Sequence, residues 1–195
     1  MKKIFVIEHL EKRIWKWCIF EYKSISNIVG KENLWITNIK RKNKNLEGLG
    51  KIFKERFFLL MKEKNIDETK VCVLDPQAEK ELTPEESKNF DYFVFGGILG
   101  DFPPKKRTKK ELSSFLISCE KRNIGKKQFP TDNAVLVVKK IIEGVPLKEM
   151  RFKNKFVLKI NDYESIELPF RYLVLNEKPF ISEEIVNYLK KKRSF

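Results

Sequence analysis

Residues 91–101 read DYFVFGGILGD: an aromatic and β-branched run, Tyr92 to Phe95, that passes without a break into Gly96-Gly97. Such a run is the pattern of a strand buried on both faces. Glycine at its exit lets backbone come close to a ligand. Three of the chain's eight glycines, Gly96, Gly97 and Gly100, fall within these five positions. The spacing is neither the dinucleotide G-x-G-x-x-G pattern nor a phosphate-binding loop, since no G-K-[ST] follows. Nicotinamide and ATP readings therefore lose support.

Working outward, the same alternation of strand and helix recurs. Lys3 to Ile7 is a short β-branched strand. Between Glu11 and Val29 the apolar residues Ile14, Trp15, Cys18, Ile19, Tyr22 and Ile25 trace one helical stripe, closed by Gly30. Leu34 to Ile39 reads as the second strand, followed by a basic loop from Lys40 to Lys44. Leu49, Ile52, Phe53, Phe57, Leu60 and Met61 predict a second amphipathic helix. Lys70 to Leu74 is the third strand, stopped by Asp75-Pro76, and Tyr92 to Phe95 the fourth. Thr83 followed by Pro84 opens a short helix.

Beyond the glycine run, Thr108 with Glu111 has the spacing of a capping box, which predicts a helix reaching Arg122. Lys127 to Phe129 is a candidate fifth strand. Thr131-Asp132-Asn133 then begins an apolar helix, Ala134 to Glu143, ended by Gly144 and Pro146. Five alternations predict an α/β fold with a mainly parallel sheet covered on both faces. The tail differs: Lys155 to Ile160 and Ser165 to Leu175 flank Asn161-Asp162 as a β-hairpin, and Ser182 precedes a last helix with a basic end. The expected organisation is one domain over 1–195, with an α/β core at 1–145 and the hairpin and helix at 146–195.

Bulk composition narrows the class of partner. The chain has 195 residues, 42% of them hydrophobic, and a formal net charge of +14. Such a charge fits an anionic partner such as RNA or a ribosomal particle, because lysines release counterions from phosphate; a solvated basic face is the plainer account. Cys18, Cys72 and Cys119 are widely spaced, each in an apolar run, as reduced core thiols in a reducing compartment would be. A single histidine makes a zinc site improbable. There is no signal peptide or membrane-length apolar run, so a soluble cytoplasmic protein is expected.

In a parallel α/β sheet ligands bind off the carboxyl ends of the strands. Three segments meet there by position: Phe95 to Asp101, the stretch GKKQFPTDNA from Gly125 to Ala134, and Glu8-His9 at the end of strand one. Each has an ordinary structural alternative: a tight turn, simple helix capping by Thr131 or Asp132, and a structural histidine.

Taken together, DYFVFGGILGDFPPKKRT, GKKQFPTDNAVLV, FVIEHLEKRIWKWCIFEY and ESIELPFRYL resemble the SPOUT-class family first described as predicted S-adenosylmethionine-dependent RNA methyltransferases. That family includes enzymes that methylate an arginine of a ribosomal protein. The resemblance spans nearly the whole chain, and GGILGD-x-PP-x-x-RT is its most specific piece. In relatives the second loop is closer to Q-M-T-T-D-T-A, from which Phe129, Pro130 and Asn133 depart.

The resemblance implies a deep C-terminal trefoil knot with S-adenosylmethionine held bent among its loops. Phe95, Gly96, Gly97, Ile98, Leu99 and Gly100 would line it on one side, and Gln128, Phe129, Thr131 and Ala134 on the other. An arginine acceptor calls for carboxylates to orient the guanidinium, which makes Glu8 and Asp101 catalytic candidates alongside His9. An RNA acceptor calls instead for basic groups around the pocket, and Lys105, Lys106, Arg107 and Arg171 are placed for that. Methylation of tRNA or rRNA is thus the alternative to arginine methylation; a knotted RNA-binding module without turnover is a third reading, which the glycine run argues against. A monomer is expected over a homodimer, because the extra tail would cover the usual dimer face.

Overall fold

The computed structural model describes residues 2–100, 105–161 and 163–191. Its centre is a six-stranded sheet of β1 (Ile4–His9), β2 (Leu34–Thr37), β3 (Lys51–Ile52), β4 (Val71–Leu74), β5 (Tyr92–Gly97) and β6 (Glu120–Arg122). The spatial order is β3-β2-β1-β5-β4-β6, and every pairing is parallel. Residues alternate across each strand, so β1 feeds two cores. Phe5 and Ile7 pack with α1 (Lys16–Val29) and α5 (Thr131–Ile142). Ile4 and Val6 pack on the other face with Phe57 and Met61 of α2 (Phe57–Glu63) and with Leu112 and Leu116. The expected α/β architecture with both faces covered is what forms.

The short helix expected at Thr83 also forms: α3 (Pro84–Ser87) has Thr83 as its cap, accepting from Glu86 N at 3.2 Å. Three other expectations change. The first helix starts at Lys16, not Glu11. Leu10 N extends the ladder to Gly97 O at 3.1 Å, and the Glu11 carboxylate is occupied in the site described below. The helix expected from Leu49 is a strand followed by a shorter helix. Lys51 and Ile52 pair with β2, and Phe53 N donates to Ile36 O at 2.9 Å. A Cβ at Gly50 would stand 2.5 Å from Leu34 O, so this close strand contact needs glycine. Apolar steps of three and four fitted a helix only because two short elements happened to be in phase.

The third change matters most for the site. The helix expected from Thr108 to Arg122 is α4 (Arg107–Glu111), then a 3-10 turn at Ser113–Phe115, then β6. Lys106 takes the cap position with φ 54°, so the capping box does not form. In place of the strand expected at Lys127 to Phe129, which is loop, Glu120–Arg122 pairs with β4. A short charged strand shows no hydrophobic alternation. Arg122 is held there by Glu86 and Glu120 at 3.0 and 2.7 Å.

The tail forms the expected hairpin, β7 (Phe152–Lys159) with β8 (Ser165–Leu175), extended by β9 (Lys178–Pro179) and α6 (Glu183–Lys191). It docks on the start of α5: Asn133 accepts from Leu173 N at 3.0 Å and donates to Phe180 O at 3.2 Å. α6 reaches α1 through Phe20–Tyr188 and Lys23–Glu184. All three cysteines are buried and unpaired. No helix among the described residues is long and apolar enough to cross a membrane.

Candidate functional site

A cavity of about 160 Å3 lies over the carboxyl ends of β5, β4 and β6. Its floor is Leu74 and Asp75 leaving β4, Phe95 and Gly96 leaving β5, and Ile124 and Gly125 beyond β6. Ile98 and the stretch from Lys105 to Lys109 form one wall; Lys126 to Phe129, Thr131 and Ala134 form the other.

Of the ten residues expected to hold a cofactor, Phe95, Gly96, Ile98, Gln128, Phe129, Thr131 and Ala134 line this cavity. Gly97, Leu99 and Gly100 do not; they shape the loop behind it. A Cβ at Gly97 would stand 2.5 Å from Tyr22 Oη, and one at Gly100 would meet Phe170 and Gln128 at 2.5 and 2.6 Å. Leu99 N donates to Glu11 Oε1 at 3.0 Å.

Of the expected substrate residues, Lys105 and Arg107 line the cavity and Arg171 does not. Arg107 is already compensated, by Glu11 at 2.7 Å and Glu111 at 2.8 Å. Its pKa is raised, first by the Glu111 hydrogen bond. Arg171 lies over the Phe152 ring at 3.9 Å and near Phe129 at 5.5 Å, with its buried Nε unpartnered, and burial lowers its pKa. Its Nη1 would sit 2.8 Å from a Cβ at Gly125, whose φ is 93°. Glycine at 125 thus lets the loop turn over the guanidinium.

The catalytic candidates are not gathered in the cavity. Asp101 lies outside the described residues. The Glu8 carboxylate accepts from Thr37 Oγ1 at 2.5 Å, Arg56 Nε at 2.6 Å and Phe57 N at 2.9 Å, and is 1% exposed. It closes the start of α2 onto β1 and β2. His9 Nδ1 is 2.7 Å from Tyr22 Oη, and Nε2 is buried without a partner. Burial lowers its pKa and favours the neutral ring.

Several residues of the site were not singled out in the sequence. Asp75, 4% exposed, accepts from Gln77 N at 2.9 Å and Ser113 Oγ at 2.6 Å and so fixes the cavity floor. Its place after a strand was a signal, hidden because its neighbour β6 was read as helix. Glu21 is buried beside Asp132. Burial first, then the Asp132 charge, push its carboxyl up to about 8, while hydrogen bonds from Thr131 and Trp17 act against this. Through Thr131 the pair supports the cavity wall. Among the described residues no group of three or more His, Cys, Asp or Glu could hold a metal ion.

The cavity fits an S-adenosyl cofactor. Leu74, Phe95, Ile98, Phe129 and Ala134 offer apolar walls for a flat purine, and Gly96 leaves room that a side chain would fill. Comparison with known proteins agrees. The profile of the family described as "Protein arginine N-methyltransferase SFM1-like" matches residues 4–194. The protein arginine N-methyltransferase SFM1 of Saccharomyces cerevisiae is 33% identical over 207 residues, covering 96% of this chain and 94% of that protein. The crystal structure of the yeast SFM1 complexed with S-adenosylmethionine superposes with a TM-score of 0.90 at 33% identity, covering 100% of this chain and 93% of that one. A dual-specific Trm10 from Thermococcus kodakaraensis shares the fold, with a TM-score of 0.55 at 19% identity over 75% of this chain and 96% of its own. The chain belongs to the SFM1-like protein arginine N-methyltransferases, S-adenosylmethionine-dependent enzymes of the SPOUT class.

Proposed function

We propose that this chain transfers the methyl group of S-adenosylmethionine to an arginine side chain of a ribosomal protein in the cytoplasm. The observation that carries the reaction class is the likeness to yeast SFM1 over nearly the whole chain, joined to a cavity whose walls are residues singled out for the cofactor. The ribosomal substrate has the +14 net charge in its support, which suits an RNA-rich particle. Buried unpaired cysteines support a reducing compartment.

The bound cofactor supplies an electrophilic methyl on a sulfonium. The chain supplies position: most of the rate in such a displacement comes from holding the acceptor nitrogen in line and close. Ile98 on one wall and Phe129 and Ala134 on the other exclude water from the cavity. Glu11 accepts from Leu99 N and from Arg107 Nη1, and Asp101 is the carboxylate retained in this reading for orienting the guanidinium.

This reading keeps the trefoil knot implied by the resemblance; in its support, Gly100 abuts both Gln128 and Phe170, so the loop after β5 lies against the chain entering α5. It also keeps a monomer, supported by the docking of the hairpin on α5 and of α6 on α1.

Incubation of a cell extract with methyl-labelled cofactor, followed by separate analysis of protein and RNA, tests the reaction. Label in a basic protein, recovered as methylarginine and absent with Gly96→Leu, is the expected result. Label in RNA alone sinks the arginine reading in favour of tRNA or rRNA methylation, which the lysines at the cavity mouth favour.

A further inference from the structure

The cavity mouth carries more positive charge than the proposed chemistry can use. A sulfonium cofactor is cationic, and so is the guanidinium acceptor of the reading above, on which this inference rests. The groups that meet them ought to be acidic or neutral. Yet Lys106, Lys109, Lys126 and Lys127 line the cavity and are exposed. No ion pair to any of the four occurs among the described residues. Arg107 between them is satisfied by Glu11 and Glu111. Asp75, the one carboxylate among the described lining residues, has both oxygens occupied.

The four lysines come from two separate segments, α4 with its cap and the loop after Gly125, whose backbone is set. Lys106 itself holds φ 54° at the start of α4, a conformation unusual for a side-chain-bearing residue. Lys126 and Lys127 follow Gly125, where a Cβ would collide with Arg171. The fold therefore holds cations on two walls of one opening, at a cost in like-charge repulsion. A polyanion beside the acceptor removes that repulsion, and it does so without occupying the cavity. A net charge of +14 across the whole chain matches a long uniform polyanion better than a short acidic segment of a protein.

We propose that the rim formed by Lys106, Lys109, Lys126 and Lys127 is a docking surface for the phosphate backbone of RNA, so that the acceptor arginine is presented by a protein already assembled on RNA. Phosphate contacts are sequence-independent and reveal themselves in salt dependence.

The direct test is fluorescence anisotropy with a labelled RNA duplex of about 20 base pairs, without cofactor, across a range of salt concentrations. Each phosphate contact contributes roughly 0.9 to the slope of log affinity on log salt for duplex nucleic acid. Replacing the four rim lysines by alanine should flatten that slope by about 3.6 and weaken binding at least about tenfold at moderate salt. A control with Lys40, Arg41, Lys42 and Lys44 changed to alanine removes the same charge elsewhere and should leave most of the slope. Melting curves of both variants establish that they fold. Equal loss in the two variants, or loss in neither, means a net-charge effect and overturns the rim. Binding of a polyglutamate peptide with the same rim dependence and the same affinity overturns RNA in favour of an acidic protein.

The presentation half has its own readout. Ribonuclease treatment of the extract before labelling should remove most of the label from protein; undiminished label there overturns it. Label in RNA only would sink the arginine reading and leave the binding result standing, so the two failures are distinguishable.

Discussion

Strands β1 and β5 run side by side and end together, Glu8 opposite Gly96 and His9 opposite Gly97, yet their ends have opposite fates. On the β1 side the polar groups turn inward and are consumed. Glu8 is taken by Thr37, Arg56 and Phe57, and His9 Nδ1 by Tyr22, while His9 Nε2 is buried without a partner. On the β5 side there are no side chains to consume anything, and the cavity opens over β5, β4 and β6. The same position at the end of a parallel strand is thus filled by hydrogen bonds in one half of the sheet and left open as the floor of a cavity in the other. The difference lies in which neighbours the sheet order supplies. β1 has β2 and the start of α2 beside it, with partners for a carboxylate. β5 has β4, then β6, and two loops that rise on either side.

The comparison breaks most visibly at Glu8. Glu8→Ala leaves Arg56 without its buried partner, and removal of one member of such a pair costs about 3 kcal/mol or more. Thermal melting should fall by roughly 6–12 °C, with cofactor affinity in the remaining folded protein within about twofold of the unaltered chain by calorimetry. A large loss of affinity at unchanged stability would place Glu8 in the site instead.

The next effect is pH-dependent and comes from the support behind the wall. Glu21 has its pKa pushed up to about 8 by burial and by Asp132. The folded chain then keeps a proton that the unfolded chain, with an ordinary carboxyl, releases. Its contribution is complete below the ordinary value near 4.5 and is lost as pH rises to about 8. His9, lowered by burial, works in the opposite sense below its ordinary 6.5, so the fall should be cleanest from pH 7 upward. Melting temperatures across that range check it, and Glu21→Gln should flatten the curve above pH 7; an unchanged curve would remove Glu21 as its cause.

On the ligand side Gly96→Leu is expected to do the reverse of Glu8→Ala. Its added Cβ would press only on the Ile98 side chain, at 3.0 Å, so the fold should tolerate it. Cofactor Kd should rise at least tenfold, about 1.4 kcal/mol. Unaltered binding would mean that the cavity does not hold the cofactor. The smallest effect sharpens the contrast. Tyr22→Phe deletes the partner of His9 Nδ1 and should cost about 1 kcal/mol of stability, seen as a shift of roughly 2–4 °C, with little change in cofactor affinity.

Much of the fold and part of both walls of the cavity could be read before any coordinates. β1, β4 and β5 declare themselves as buried strands through unbroken runs such as Ile4–Ile7 and Val71–Leu74, because burial on both faces leaves no polar position. The glycine run after Phe95 points to an open loop for a local reason, the absence of Cβ, and that loop lines the cavity. The loop before α5 was equally legible, through polar residues at a helix start. These are properties of neighbours in the chain, and the chain alone determined them.

What tertiary structure decided is which distant groups meet. Glu120–Arg122 is a strand because β4 offers a free edge and Glu86 waits for Arg122; nothing in a Glu-Lys-Arg triplet says so. Ile52 pairs with Ile36 across a glycine that only the strand contact explains. By chain position Glu8 is a candidate acid for orienting the acceptor, and Arg107 a candidate contact for RNA. Arg56 and Phe57, distant in sequence, fill the first; Glu11, brought over by the loop after β1, neutralises the second. Hydrophobic periodicity is written residue by residue, whereas the state of a buried charge is set by whatever partner the completed sheet brings within hydrogen-bond reach.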